Sequence, residues 1–132
     1  GNTLYYFARA ISYEGLGDLD KAGADYDAIL EIDPEYFDAS YNKGVMYLNK
    51  VANLVDEMNE KNIYKPSQIA VYESKINGLY KEAIVQFENV FENNDDMLQE
   101  DRKELAQTMK KIYAQLQQMD KYKDMKAWLE AN

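Results

Sequence analysis

Apolar residues recur along this chain at three- and four-residue steps, the spacing of one face of a helix. Val51, Leu54, Val55 and Met58 form one such stripe, and Ile69, Tyr72, Ile76 and Leu79 form a second. Between them Lys61-Asn62-Ile63-Tyr64-Lys65-Pro66-Ser67 breaks the pattern, and its proline suits the first position of a new helix. The spacing therefore predicts two antiparallel helices over this stretch. Further on, Asn94-Asp95-Asp96 offers short polar side chains to the free N–H groups of a helix start. Met109, Ile112 and Leu116 keep the spacing of the helix that follows, and Leu129 belongs to a last one.

A longer pattern lies over the short one. Residues 3–36 fit, without a gap, the 34-residue sequence W-x2-L-G-x2-Y, then A-x3-F, then P. Tyr6 stands at the tryptophan, Ala10 at the glycine, Tyr13 at the tyrosine, Ala22 at the alanine, Tyr26 at the phenylalanine and Pro34 at the proline. Gly17 falls at the turn, and Arg9 departs from the pattern where an apolar residue is expected. The pattern returns in pieces. Gly44 and Tyr47 repeat a first helix, Ala83, Phe87 and Val90 repeat a second, and Gly78 takes the slot of Gly17.

On these residues the chain resembles the tetratricopeptide repeat (TPR) family. The resemblance implies an all-α fold, a right-handed stack of helical hairpins with about three repeats. The first is residues 3–36, the second 37–97 and a degenerate third, acting as a C-terminal cap, 98–132. Register from Gly44 ends the first helix of repeat two at Lys50, which leaves 27 residues, Val51 to Asn77, as an insertion. With their own helical stripes, they read as extensions of both helices, making an elongated hairpin with arms of about 36 Å for about 24 residues each. Tyr72 and Tyr80 are expected to seal it. In the third unit the same register puts Tyr113 where glycine or alanine lets helices approach. Lys121, Lys123, Asp124 and Lys126 around Trp128-Leu129 fit the polar outer face of a terminal repeat.

Composition narrows the function. The 132 residues, 46% of them hydrophobic, suffice for one domain, and no run of 18 apolar residues is present to span a membrane. Gly1, without an initiating methionine, reads as the start of a fragment, with any targeting signal upstream of it. The absence of cysteine excludes disulfides and thiolate metal sites, and suits cytoplasm or periplasm equally. A net charge of −9 argues against nucleic acid as a partner. The charge is uneven: residues 1–38 carry nine acids against Arg9 and Lys21, while residues 102–126 carry seven bases against Glu104, Asp120 and Asp124. The acidic part reads as a solvated helical face, or alternatively as a docking surface for a basic partner.

Little chemistry is available. Histidine is absent, and with it the commonest general base and metal ligand. Ser12, Ser40, Ser67, Ser74, Thr3 and Thr108 lie in no nucleophile motif. Asp18-Leu19-Asp20-Lys21-Ala22-Gly23 begins like a calcium loop, but Ala22 and Ile29 stand where ligands are required. The repeat register accounts for Ala22 as a small residue at a helix crossing, and helix capping accounts for Glu92-Asn93-Asn94-Asp95-Asp96. No Gly-rich phosphate loop occurs. No catalytic residue, cofactor or metal is therefore expected.

In the family the concave surface is lined by first-helix positions 2, 5, 9 and 12, with 6 nearby. The resemblance places Leu4, Phe7, Ala8, Ile11 and Glu14 there from the first unit, and Asp38, Tyr41, Asn42, Val45 and Leu48 from the second. The third contributes Gln107, Lys110, Lys111, Ala114 and Gln117. One branch of the family grips a C-terminal carboxylate with a set of lysine, asparagine and arginine side chains. Only Asn42 matches that set cleanly, with Lys111 a second match, and Phe7 and Ile11 replace the first unit's polar pair. The groove expected instead is apolar: Leu4, Phe7, Ile11, Tyr41, Val45 and Leu48, with Asn42 beside them. An exposed apolar strip marks an interaction site. Its expected occupant is a protein or peptide. The alternative is burial within a longer repeat array or a homo-oligomer.

Overall fold

A computed structural model describes residues 2–132 as six α-helices, with no strand among the described residues. They are α1 (Asn2–Gly15), α2 (Leu19–Ile32), α3 (Phe37–Glu60), α4 (Pro66–Asn93), α5 (Gln99–Gln115) and α6 (Met119–Ala131). α1/α2, α3/α4 and α5/α6 each pack as a hairpin, and the hairpins stack in order through α2 on α3 and α4 on α5.

Each of the first two hairpins closes where a small residue faces an aromatic ring. Ala10, Ala22, Tyr26, Ile29 and Ala39 are fully buried together in the first. In the second, Gly44 lies so close to Phe87 that an added Cβ would stand 2.6 Å from the ring. The α1–α2 turn is set by backbone bonds from the Leu16 N–H to the carbonyls of Ser12 and Tyr13, from Gly17 to Glu14 and from Asp18 to Tyr13. Gly17 takes φ 78°, the left-handed conformation that ends many helices. Asp18 then caps α2, its carboxylate accepting from the Lys21 N–H at 3.2 Å. A helix cap is therefore what the start of the calcium-like segment forms.

The same turn returns in the third hairpin and corrects its register. N–H groups of Leu116, Gln117 and Gln118 bond to the carbonyls of Ile112, Ala114 and Tyr113, and Gln117 takes φ 58°. Gln117 is thus the counterpart of Gly17, and Tyr113 that of Tyr13, three positions from where the sequence pattern put it. Tyr113 is buried with Leu105, Ala106, Met109 and Ile112 rather than obstructing a close approach. The stripe alone does not settle register, because a three-residue shift leaves most apolar positions on one face. Lys110 and Lys126 now occupy the sites of Ala10 and Tyr26. The small–aromatic pair is absent from this hairpin, and α6 buries no residue completely.

α3 and α4 run unbroken for 24 and 28 residues, about 36 and 42 Å. Pro66 opens α4, where its missing N–H costs nothing. Val51 and Ile76 are the outermost buried residues of the arms, so the tip stands beyond the core. Gly78 is not a turn. It lies within α4, exposed, with nothing within 4 Å of an added Cβ, because the insertion moved the turn to residues 61–65. Gly78→Ala should therefore stabilise the protein by about 0.5–1 kcal/mol, read as a higher urea midpoint.

Arg102 of α5 finishes α4. Its guanidinium donates to the carbonyls of Phe91 and Asn94, both at 2.5 Å, and lies over the Phe91 ring, which meets Trp128 edge-on at 5.1 Å. One side chain thus ties together α4, α5 and, through two rings, α6.

Candidate functional site: the first-helix strip

The concave-strip residues meet two different fates. Leu4, Ile11 and Tyr41 expose 65%, 44% and 42% of their surface, a large fraction for apolar side chains. Phe7 turns inward, 6.2 Å from the Tyr26 ring and 5.7 Å from that of Tyr36. Val45 and Leu48 are half-buried against the second core cluster. Tyr41 rests on Phe87 with ring centroids 5.8 Å apart, which holds its orientation while one face stays open.

Glu14, the polar residue that α1 gives the strip, is occupied. The Tyr26 hydroxyl donates to Glu14 at 2.9 Å. Burial raises the Tyr26 pKa well above the usual phenol value, Glu14 adds to the rise, and Asn42 acts in the opposite direction. Glu14 thus ties α1 to α2 through the Tyr26 hydroxyl. Ser40, fully buried, accepts from the Asn89 amide at 3.1 Å, and the Ser12 and Thr108 hydroxyls donate to carbonyls one turn back. Among the described residues no three acidic side chains converge as a metal site.

Arg9 explains its own departure from the pattern. Its guanidinium donates to both oxygens of buried Asp25, at 2.9 and 2.6 Å, and lies 5.2 to 5.8 Å from the rings of Tyr5, Tyr6 and Tyr13. The hydrogen bond to Asp25 is the main cause of its raised pKa. A fork of two charge-assisted bonds replaces the apolar contact usual there. Two further acids of α2 stitch it to α3: Asp27 to Lys43 and Asp20 to Lys50, both at 2.5 Å. The hydrogen bond from Lys50 lowers the Asp20 pKa. Burial lowers that of Lys43, but Asp27 outweighs it and the net shift is upward. Part of the acidic excess of residues 1–38 is therefore intramolecular.

The corrected register gives α5 a different concave line, Glu104, Gln107, Thr108, Lys111 and Ala114, in which Lys110 and Gln117 have no place. Glu104 then joins Asp38, Asp96 and Asp101 around a recess of about 420 Å³ floored by Phe37, Tyr41, Val90, Met97 and Leu98. In the sequence these acids are scattered over the start of α3 (Asp38), the α4–α5 loop (Asp96) and α5 (Asp101, Glu104). The position of this rim beside Tyr41 needed the correct register.

In the first hairpin, Ala10, Ala22 and Tyr26 buried together and the left-handed turn residue Gly17 all follow the 34-residue pattern. Residues 3–36 match the family model described as Tetratricopeptide repeat. The first hairpin is similar to a tetratricopeptide repeat. The chain as a whole is a stack of three helical hairpins, the second of them elongated. No curated protein and no solved structure matches it. TPR hairpins generally mediate protein–protein interaction and are typically non-catalytic scaffolds. No helix is long and apolar enough to cross a membrane among the described residues.

Proposed function

We propose that this protein is a non-enzymatic scaffold that captures a segment of a protein partner across Leu4, Ile11 and Tyr41, with Phe7, Asn42, Val45 and Leu48 forming the backing of the groove. The observation that supports this reading most is the open, oriented ring of Tyr41 at the mouth of an acid-rimmed recess. Asp38, Asp101 and Glu104 favour a partner segment that combines apolar with basic side chains. Nucleic acid remains disfavoured by the net charge of −9.

Capture of partners from lysate by the wild type and by the Ile11→Ser/Tyr41→Ser variant tests this. Ile11 and Tyr41 are 44% and 42% exposed and Tyr41 packs on Phe87, so the variant should lose the partner while remaining folded, with its unfolding free energy lowered by about 1–2 kcal/mol. Val45→Ser, at a side chain half-buried against the core, should cost a similar amount of stability. The second reading, a strip covered inside a longer array or a homo-oligomer, is favoured by the packing already engaged by Phe7, Val45 and Leu48. It predicts that Ile11→Ser/Tyr41→Ser alters stability or association state and leaves capture unchanged.

A further inference from the structure

The turn between α5 and α6 is built from residues that favour continuing a helix. Gln115-Leu116-Gln117-Gln118-Met119 are all good helix formers, and residues 97–132 contain no glycine and no proline. Leu105, Met109, Ile112, Leu116 and Met119 keep one helical stripe straight through the turn. The chain nevertheless reverses there, with Gln117 at φ 58°, a conformation that crowds any residue carrying a Cβ. The other two turns are better provided. Gly17 takes that conformation without a steric penalty, and Asn62, at φ 52° between α3 and α4, is among the few side chains that tolerate it. Asp18 caps α2 with its carboxylate, whereas Gln118 makes no side-chain cap to α6. α6 is also lightly held. It buries no residue completely, and Lys110 and Lys126 stand where the first hairpin buries Ala10 with Tyr26. Its seat is still specific: Trp128 meets Phe91 edge-on, Lys121 reaches Glu88 at 3.8 Å, and Tyr122 and Met125 rest on the core shared by α4 and α5.

We propose that α5 and α6 straighten into one continuous helix of about 50 Å, and that two copies of the chain exchange α6 reciprocally to form a dimer. Straightening releases Gln117 from the left-handed conformation and turns the linking residues into helix. The vacated seat selects its occupant: α6 of a second copy presents the same ring, ammonium and apolar side chains in the same order. Every contact that α6 leaves in its own chain is therefore remade in the other copy. The exchange costs the association of two chains, offset by two relaxed hinges. Because it is reciprocal, it closes on a two-fold axis and assembly stops at the dimer. Leu4, Ile11 and Tyr41 belong neither to the hinge nor to the seat, so the inference stands apart from the capture reading.

Light scattering of the full chain should show a dimer that grows with concentration. Gln117→Gly, which accepts the turn and weakens the straight helix, should weaken that dimer by about a hundredfold or more. Gln117→Ile, whose branched side chain is an outlier at positive φ, should strengthen it by about tenfold or more. The chain has no cysteine, so single cysteines report the exchange cleanly. Chains carrying Glu88→Cys are incubated with chains carrying Lys121→Cys and joined with a short bis-maleimide. An exchanged dimer yields a cross-link between position 88 of one chain and position 121 of the other, identified by peptide mass. The proposal is overturned if the wild type stays monomeric at every concentration. It is equally overturned by a dimer that Gln117→Gly leaves intact, which would assign association to another face. A dimer without the 88–121 cross-link between chains would overturn it as well.

Discussion

Replacing Phe87 by alanine should lower the unfolding free energy by about 4 kcal/mol, the largest loss expected from any single change in this chain. The ring is 1% exposed, belongs to the core cluster that joins α4 to α5, touches Gly44 of α3 and supports Tyr41 from beneath. Its removal leaves a cavity at the centre of the stack, and helix backbones on either side collapse into such a space only partly. A domain of ordinary stability holds about 5–15 kcal/mol in total, so the variant should be visibly destabilised at room temperature. Urea unfolding followed by helix content measures it. A loss under about 1 kcal/mol would mean that α3 and α4 do not meet through this ring.

Gly44→Ala should also destabilise, although alanine is the better helix former. The propensity gain is about 1 kcal/mol. Against it, the new Cβ would lie 2.6 and 2.7 Å from two carbons of Phe87, a rigid ring in a filled core. Overpacking of that kind costs about 1–3 kcal/mol, so the net effect is unfavourable or at best zero. Gly23→Ala provides the contrast. There the contact is the tail of Met46, at 2.9 Å from sulfur, and an unbranched thioether moves aside at small cost. Gly23→Ala should therefore come out near neutral, and the gap between the two midpoints isolates the rigidity of Phe87. Because Gly44 and Phe87 touch, their effects should not add, and Gly44→Ala combined with Phe87→Leu should recover part of the loss.

The pairing of a small residue with a ring is also what made the fold readable. Ala10 with Tyr26, buried in one cluster, and Gly44 with Phe87 stand at the same positions of the 34-residue pattern, and the Gly44–Phe87 contact limits the distance between α3 and α4. The elongated hairpin was readable for another reason: its stripes through Val51 and Ile76 have helical period whatever lies outside them. Gly78 misled because a glycine in the turn slot and a glycine inside a helix carry the same letter. Only the length of the arms distinguishes them. The third register was hidden because its turn uses Gln117 in the left-handed conformation, where the first uses Gly17, and no local signal marks a glutamine as a turn residue.

The strip was legible as a set of positions but not as a set of exposures. Phe7, Val45 and Leu48 have the hydrophobicity of Leu4, Ile11 and Tyr41, and their burial is decided by partners far away in sequence, such as Tyr36 for Phe7. Asp25 looked like one more acid on a charged helix, yet Arg9 makes it a buried anchor. The acidic rim around Tyr41 combines residues from different hairpins and is not visible until α5 is in register with α3.

The central claim is that a partner segment lies across the open face of Tyr41. A photo-crosslinking amino acid placed at Tyr41, and in a parallel sample at exposed Lys81 on α4, tests it in a lysate of the source cells. The account predicts a partner adduct from position 41, mapped to a segment bearing apolar and basic residues, and none from position 81. Adduct from position 81 alone, or the same adduct from both, would contradict it.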